Sequence, residues 1–114
     1  MRGKKIPNVI RNPKDNSITL SYGKPCCSLI WLHGLGDTSE GFLSFFAHSH
    51  SPLYNNVKIK LIQAPLRQIT LNHGETCNSW YDIKSFDRFK GNEEDVFNFD
   101  DIKESIDILE SHVD

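Results

Sequence analysis

The stretch Ser28-Leu29-Ile30-Trp31-Leu32-His33-Gly34-Leu35-Gly36-Asp37-Thr38 decides how the chain folds. Leu29 to Leu32 is a short apolar run with no polar alternation. Such a run suits a central strand covered on both faces. Gly34 and Gly36 follow at once, and glycine takes backbone angles that a Cβ resists. Asp37 is a candidate cap for the next helix, with Glu40 at the capping-box position three residues on. The reading is a buried strand, a glycine turn and a helix start. Backbone N–H groups then face outward beside the positive end of a helix, a place that receives negative charge.

Two readings of the turn stay open on these residues alone. One is an ordinary strand-to-helix connection. The other is half of an oxyanion hole, in which His33-Gly34-Leu35-Gly36 stands where α/β-hydrolases carry an HGGG-type loop after an early strand.

A second stretch lies downstream: Gln63-Ala64-Pro65-Leu66-Arg67, then Ile69-Thr70-Leu71-Asn72, then Ser79-Trp80-Tyr81-Asp82. With LHGLGDTSEGF before it, in this order and spacing, it resembles the acyl-protein thioesterase/lysophospholipase-like carboxylesterases, a branch of the α/β-hydrolases. The resemblance runs from Ser28 to the end of the sequence, more loosely from Ile18. It implies an α/β fold, the N-terminal part of an α/β-hydrolase with a mostly parallel sheet and flanking helices. It implies cleavage of acyl esters or thioesters, such as S-palmitoyl protein or lysophospholipid, with no cofactor and no metal. The backbone N–H of Leu35 becomes the oxyanion donor, and Gly34 and Gly36 shape its loop. The segment from Pro65 to Ser79 lines an acyl groove, with Leu71, Trp80 and Tyr81 as pocket residues and Asp82 as a polar anchor.

Ester or thioester hydrolysis needs a nucleophile, a base and a group that orients the base. The family carries its serine in a G-x-S-x-G elbow, followed by Asp and His. No such elbow occurs in this sequence: Ser44, Ser51, Ser79 and Ser85 lack the flanking glycines. A substitute pair of Cys77 and His73 has no orienting carboxylate in an obvious place. The expectation is therefore a hydrolase portion that stops before the elbow and is inactive by itself. The alternative is a non-catalytic pseudo-hydrolase that binds acyl chains or a partner, and a third possibility is assembly with a separately encoded second half.

Composition bounds the rest. The sequence has 114 residues, 38% hydrophobic and 25% charged, as for one small globular domain. Residues 1–67 carry nine Lys/Arg against three Asp/Glu, a balance of +6; residues 68–114 carry four against twelve, a balance of −8. A solvated surface accounts for this, and no aromatic-basic pattern points to nucleic acid. No apolar run approaches a bilayer span, Met1-Arg2-Gly3-Lys4-Lys5 precedes no signal core, and a cytoplasmic place is expected without stable membrane insertion. No oligomeric state is implied. Cys26, Cys27 and Cys77 are read as reduced thiols, the first two as packing residues. His48 and His50 lack a second ligand pair, so no metal is expected.

Along the chain, residues 1–15 read as a flexible basic arm and 16–114 as the partial hydrolase domain. Ser17 to Tyr22 alternates, as an edge strand with one wet face does. Ser39 to about Ser49 reads as a helix with Phe42, Phe45 and Phe46 packed on the sheet. Val57 to Ile62 is a second strand, parallel to the first. Pro65 to Ser79 reads as a shaped loop. Ile83 to Asn98 is irregular, with Glu93, Glu94 and Asp95 solvated. Asp100 to Val113 is a helix capped by Asn98, with Ile102, Ile106, Leu109 and Val113 in one stripe. A sheet ending with these elements leaves an open edge.

Overall fold

Ile18 and Leu20 alternate with Thr19 and Ser21, and the alternation is kept: the first two are buried, the others half-buried. They belong to strand β2 (Ile18–Ser21). The computed structural model describes residues 6–48, 56–85 and 96–113. These form two compact units, Met1–His33 with Thr38–Gln63, and Gly34–Asp37 with Ala64–Asp114.

The first unit is a four-stranded sheet. Its strands are β1 (Asn8–Arg11), β2, β3 (Cys27–Leu32) and β4 (Val57–Ile62), in the order β1-β2-β4-β3. β1–β2 and β2–β4 are antiparallel, and β3–β4 is parallel. The sheet is thus mixed: β1 and β2 are joined by a short turn, and the consecutive strands β3 and β4 are separated by a crossover long enough for parallel pairing. In the β1–β2 turn, Asn16 sits at φ 61°, and Ser17 N–H donates to Asp15 Oδ1 at 2.9 Å.

Three expectations change here. The arm of residues 1–15 contains a strand: β1 pairs with β2 over its whole length, and Arg11 Nε lies 2.9 Å from Glu40 Oε1. β2 therefore has a neighbour on each side and is not an edge. The edges are β1 and β3 instead: among the described strands β1 pairs with β2 alone and β3 with β4 alone. The cover expected on both faces of β3 is missing: Leu29 is 37% exposed and Leu32 41%, while Trp31 packs between Phe42 and Phe46 at ring separations of 4.9 and 5.4 Å.

The helix after β3 is two short pieces, a 3-10 turn (Ser39–Phe42) and α1 (Leu43–Ala47). Gly41 has poor helix propensity, and its N–H donates to Thr38 C=O, the tighter three-residue spacing. The cap is Thr38, not Asp37: Thr38 Oγ1 accepts from Glu40 N–H at 3.2 Å. Phe46 is buried and Phe42 packs against the core, but Phe45 is 58% exposed, its ring roughly perpendicular to those of Phe42 and Phe46. Tyr22 Oη–H donates to the Phe46 carbonyl and so satisfies one of the helix's terminal acceptors. Ile18, Leu20, Phe46, Ile59 and Leu61 make the core of this unit.

The second unit holds a hairpin and a helix. β5 (Leu66–Ile69) and β6 (Glu75–Asn78) pair antiparallel, from Leu66 with Asn78 to Ile69 with Glu75. A 3-10 turn (Thr70–Asn72) joins them, with His73 and Gly74 at positive φ. The expected loop from Pro65 to Ser79 is therefore a hairpin, held by ladder bonds that its irregular side-chain pattern does not announce. α2 (Phe99–Ser111) is capped as expected, Asn98 Oδ1 accepting from Asp101 N–H at 3.1 Å. Its apolar stripe is covered only in part: Ile102 and Leu109 are half-buried, while Ile106 is 48% exposed and Val113, past the end of the helix, 61%. Ser49, His50, Ser51, Glu93, Glu94 and Asp95 lie outside the described residues.

Candidate functional site

The glycine turn is a closed four-residue turn. Asp37 N–H donates to Gly34 C=O at 3.1 Å, and Gly36 has φ +79°. A positive φ at the third position of such a turn is the type II signature, which calls for glycine there. Gly34 has no such need: its φ is not in the left-handed region, and a Cβ there meets nothing within 4 Å. Of the two glycines expected to shape the loop, Gly36 alone is required by the backbone.

The turn also separates two adjacent donors. Gly36 N–H is taken by the Asn78 carbonyl at 2.9 Å. The neighbouring Leu35 N–H meets no acceptor among the described residues. Asn78 is itself held, its Nδ2 donating to Ala64 C=O at 2.9 Å, so the turn is pinned to the end of β6.

Beside this turn is a cleft of about 400 Å³, lined by Leu35, Gly36, Ile69, Leu71, Asn72, Cys77 and Ile83. Its walls are mainly apolar, which suits a hydrocarbon chain. Leu35 and Leu71, expected at the site, meet here with Gly36. Trp80 and Tyr81 do not line it: both are half-buried, the Trp80 carbonyl accepting from Ser105 Oγ–H and the Tyr81 ring standing edge-on to Phe97. Ile69, Asn72 and Cys77 lie in the segment expected to line a groove but were not singled out, and Ile83, outside it, was missed. They come together through the β5–β6 register and through Leu71 N–H donating to Ile83 C=O, neither of which has a periodic signal. A larger groove of about 630 Å³ in the sheet unit is lined by polar residues such as Asn12, Asn16 and Gln63 and by the Arg11–Glu40 pair, and it contains none of the turn residues.

A polar relay fixes the Leu71 side of the cleft. Arg67 Nη1 donates to Asp101 Oδ1 at 2.9 Å, and Arg67 Nε to Ser79 C=O at 3.0 Å. Asp82 N–H donates to Asp101 Oδ2 at 2.9 Å. The Asp82 carboxylate in turn accepts from Thr70 N–H at 2.8 Å and Thr70 Oγ1–H at 2.6 Å. The anchor expected of Asp82 thus holds the 3-10 turn that carries Leu71. Such charge-assisted bonds are the stronger kind. Among the described residues, His73 and Cys77 have no carboxylate partner that would make them a base and nucleophile.

A family described as Phospholipase/Carboxylesterase matches residues 14–114. The chain belongs to this family. Within the Phospholipase/Carboxylesterase family it is 38% identical over 74 residues to acyl-protein thioesterase 1 of Mycosarcoma maydis, which is 64% of this chain and 31% of that protein. It is 32% identical over 85 residues to acyl-protein thioesterase 1 homolog 1 of Dictyostelium discoideum, 75% of this chain and 37% of that one. Among solved structures, acyl-protein thioesterase 2 of Zea mays superposes with a TM-score of 0.61 at 21% identity, over 93% of this chain and 38% of that one. That likeness shows the α/β-hydrolase fold. The chain spans about a third of the length of the curated relatives it matches. Among the described residues no helix is long and apolar enough to cross a membrane.

Proposed function

We propose that this chain supplies the oxyanion turn and part of the acyl pocket of a hydrolase that cleaves acyl esters or thioesters. The observation that carries the reading is the Leu35 N–H. It meets no acceptor among the described residues, while its neighbour at Gly36 is bound to Asn78, and Leu35 and Gly36 both line an apolar cleft. A fixed donor beside a place for a hydrocarbon chain is what a developing oxyanion requires. The relatives' names, acyl-protein thioesterases, support acylated protein as substrate, with lysophospholipid as a second acyl ester of the same chemistry. The serine, its base and the orienting carboxylate lie outside this sequence stretch, so the chain's own part is to bind and polarise. Three free thiols fit work in a reducing, cytoplasmic setting.

The experiment joins residues 1–114 to the nucleophile-bearing remainder of a family member and assays thioester cleavage. Leu35→Pro deletes the backbone donor. It should lower kcat roughly 10²–10³-fold, the usual cost of one oxyanion donor. Leu35→Ala keeps the N–H and should stay near the parent rate. Equal turnover in the Pro and Ala variants would remove Leu35 from the role.

A further inference from the structure

Cys26 and Cys27 take no part in the candidate site, and the expectation that they pack inside is wrong: both are exposed. They stand where a bend enters β3, Cys27 being its first residue. Consecutive residues within a strand send their side chains to opposite faces. Cys26 precedes the strand, at a bend, and so escapes that alternation, and the two exposed thiols stand on adjacent residues. The backbone under the pair is held. Cys26 N–H donates to Asn56 C=O at 2.7 Å, and Cys27 is in register with Val57.

Chemistry narrows what two such thiols can take. A relaxed disulfide wants Cα atoms roughly 4.4–6.8 Å apart. Consecutive Cα atoms are only about 3.8 Å apart, so direct S–S closure is strained. Zinc wants four ligands. Among the described residues no group of three or more His, Cys, Asp and Glu side chains gathers to hold a metal. What remains is an atom satisfied by two sulfurs at a narrow angle.

We propose that Cys26 and Cys27 form a dithiol site for thiophilic trivalent electrophiles of the monosubstituted arsenical class. An organoarsenic oxide, R–As=O, reacts with both thiols. The two S–H bonds and the As=O bond break, two As–S bonds form, and the oxygen leaves with both protons as water. Arsenic stays trivalent, so no oxidant or reductant is consumed. The Cys27 thiol is pushed above its ordinary value, first by desolvation and then by the Cys26 thiol beside it. The inference does not depend on the hydrolase reading.

The test uses the full chain, reduced and desalted, with one equivalent of phenylarsine oxide. Thiols that react with Ellman's reagent should fall from three to one. In Cys77→Ser they should fall from two to none, and in Cys26→Ser or Cys27→Ser both remaining thiols should stay reactive. Any Cys-Cys peptide chelates to some degree, so the geometry is read separately. A preorganised site binds the folded chain more tightly and raises the urea midpoint. Persistence of three reactive thiols, loss of thiols in the single serine variants, or an unchanged or lowered midpoint would each overturn the proposal.

Discussion

In the sheet unit, Ile18, Leu20, Phe46, Ile59 and Leu61 are each at most 1% exposed and touch one another. In the hairpin unit, Arg67, Asp101, Asp82 and Thr70 are joined instead through carboxylates, and Ile69, Val96 and Ala64 are its buried apolar side chains. The first arrangement is a scaffold: non-directional burial tolerates small shifts and sums to a large term. The second is a positioning device. Hydrogen bonds are directional, so the relay sets where Leu71 stands more than it adds to net stability. The proposed ligand cleft belongs to the second unit, where geometry is fixed by bonds that single substitutions can remove.

The largest effect is expected in the scaffold. Ile59→Ala empties a fully buried position at the centre of the sheet and should cost about 2–5 kcal/mol in urea unfolding. Amides of β2 and β4 should lose hydrogen-exchange protection together. A cost below about 1 kcal/mol would mean the core collapses around the gap and is less tightly packed than its burial indicates.

Arg67→Met keeps the aliphatic stem and deletes the charge that ties Asp101 and Ser79. The Arg67 and Asp101 side chains are 12% and 18% exposed. The loss should be about 1–3 kcal/mol, the cost of a charged hydrogen bond and its abandoned partner. Its signature should be local: faster exchange at the amides of Thr70 and Asp82, with β2 and β4 unchanged. Equal loosening of the sheet amides would erase the contrast between the two units.

Gly36→Ala sharpens the comparison within the turn itself. At φ +79° a Cβ should cost about 1–2 kcal/mol. Gly34→Ala has open space and no positive φ and should be nearly neutral. Equal effects at both positions would contradict the type II turn.

How far the sequence was legible follows the same division. Ile18, Leu20, Ile59 and Leu61 were readable as sheet residues because burial leaves a period-two trace. The parallel pairing of β3 and β4 was readable from the helical segment between them. The turn at Gly34 to Asp37 was readable as a turn from its glycines, though not which glycine it needs, because φ depends on where the hydrogen bonds close. Leu66-Arg67-Gln68-Ile69 and Glu75-Thr76-Cys77-Asn78 hide a hairpin, since their ladder is backbone and their side chains are mixed. Cys77 and Ile83 could not be placed beside Leu35 without that register. The edge position of β3 was misread because an apolar run reports what a strand is suited to bury, not what covers it in this stretch.

The smallest effect is expected at Arg11–Glu40, the pair that ties β1 to the 3-10 turn. Both side chains are more than half exposed, so solvent screens the interaction and little net stability is expected. The sign is nevertheless fixed. The Arg11 hydrogen bond holds the Glu40 carboxyl below its ordinary value, against a smaller opposing desolvation. A depressed carboxyl contributes stability above its unfolded pKa and loses it as pH falls through the folded one. Arg11 is raised by the same partner, so its share is present throughout the neutral range and lost only in strong alkali. Glu40→Gln should therefore lower the urea midpoint slightly at neutral pH, and the gap to the parent should close on acidification through the carboxylate range. High salt should shrink the gap at neutral pH, as screening of an exposed pair requires. A gap that survives both acid and salt would mean that Glu40 acts through the turn's packing, and would move the attachment of β1 from the electrostatic column to the apolar one that holds the rest of the sheet.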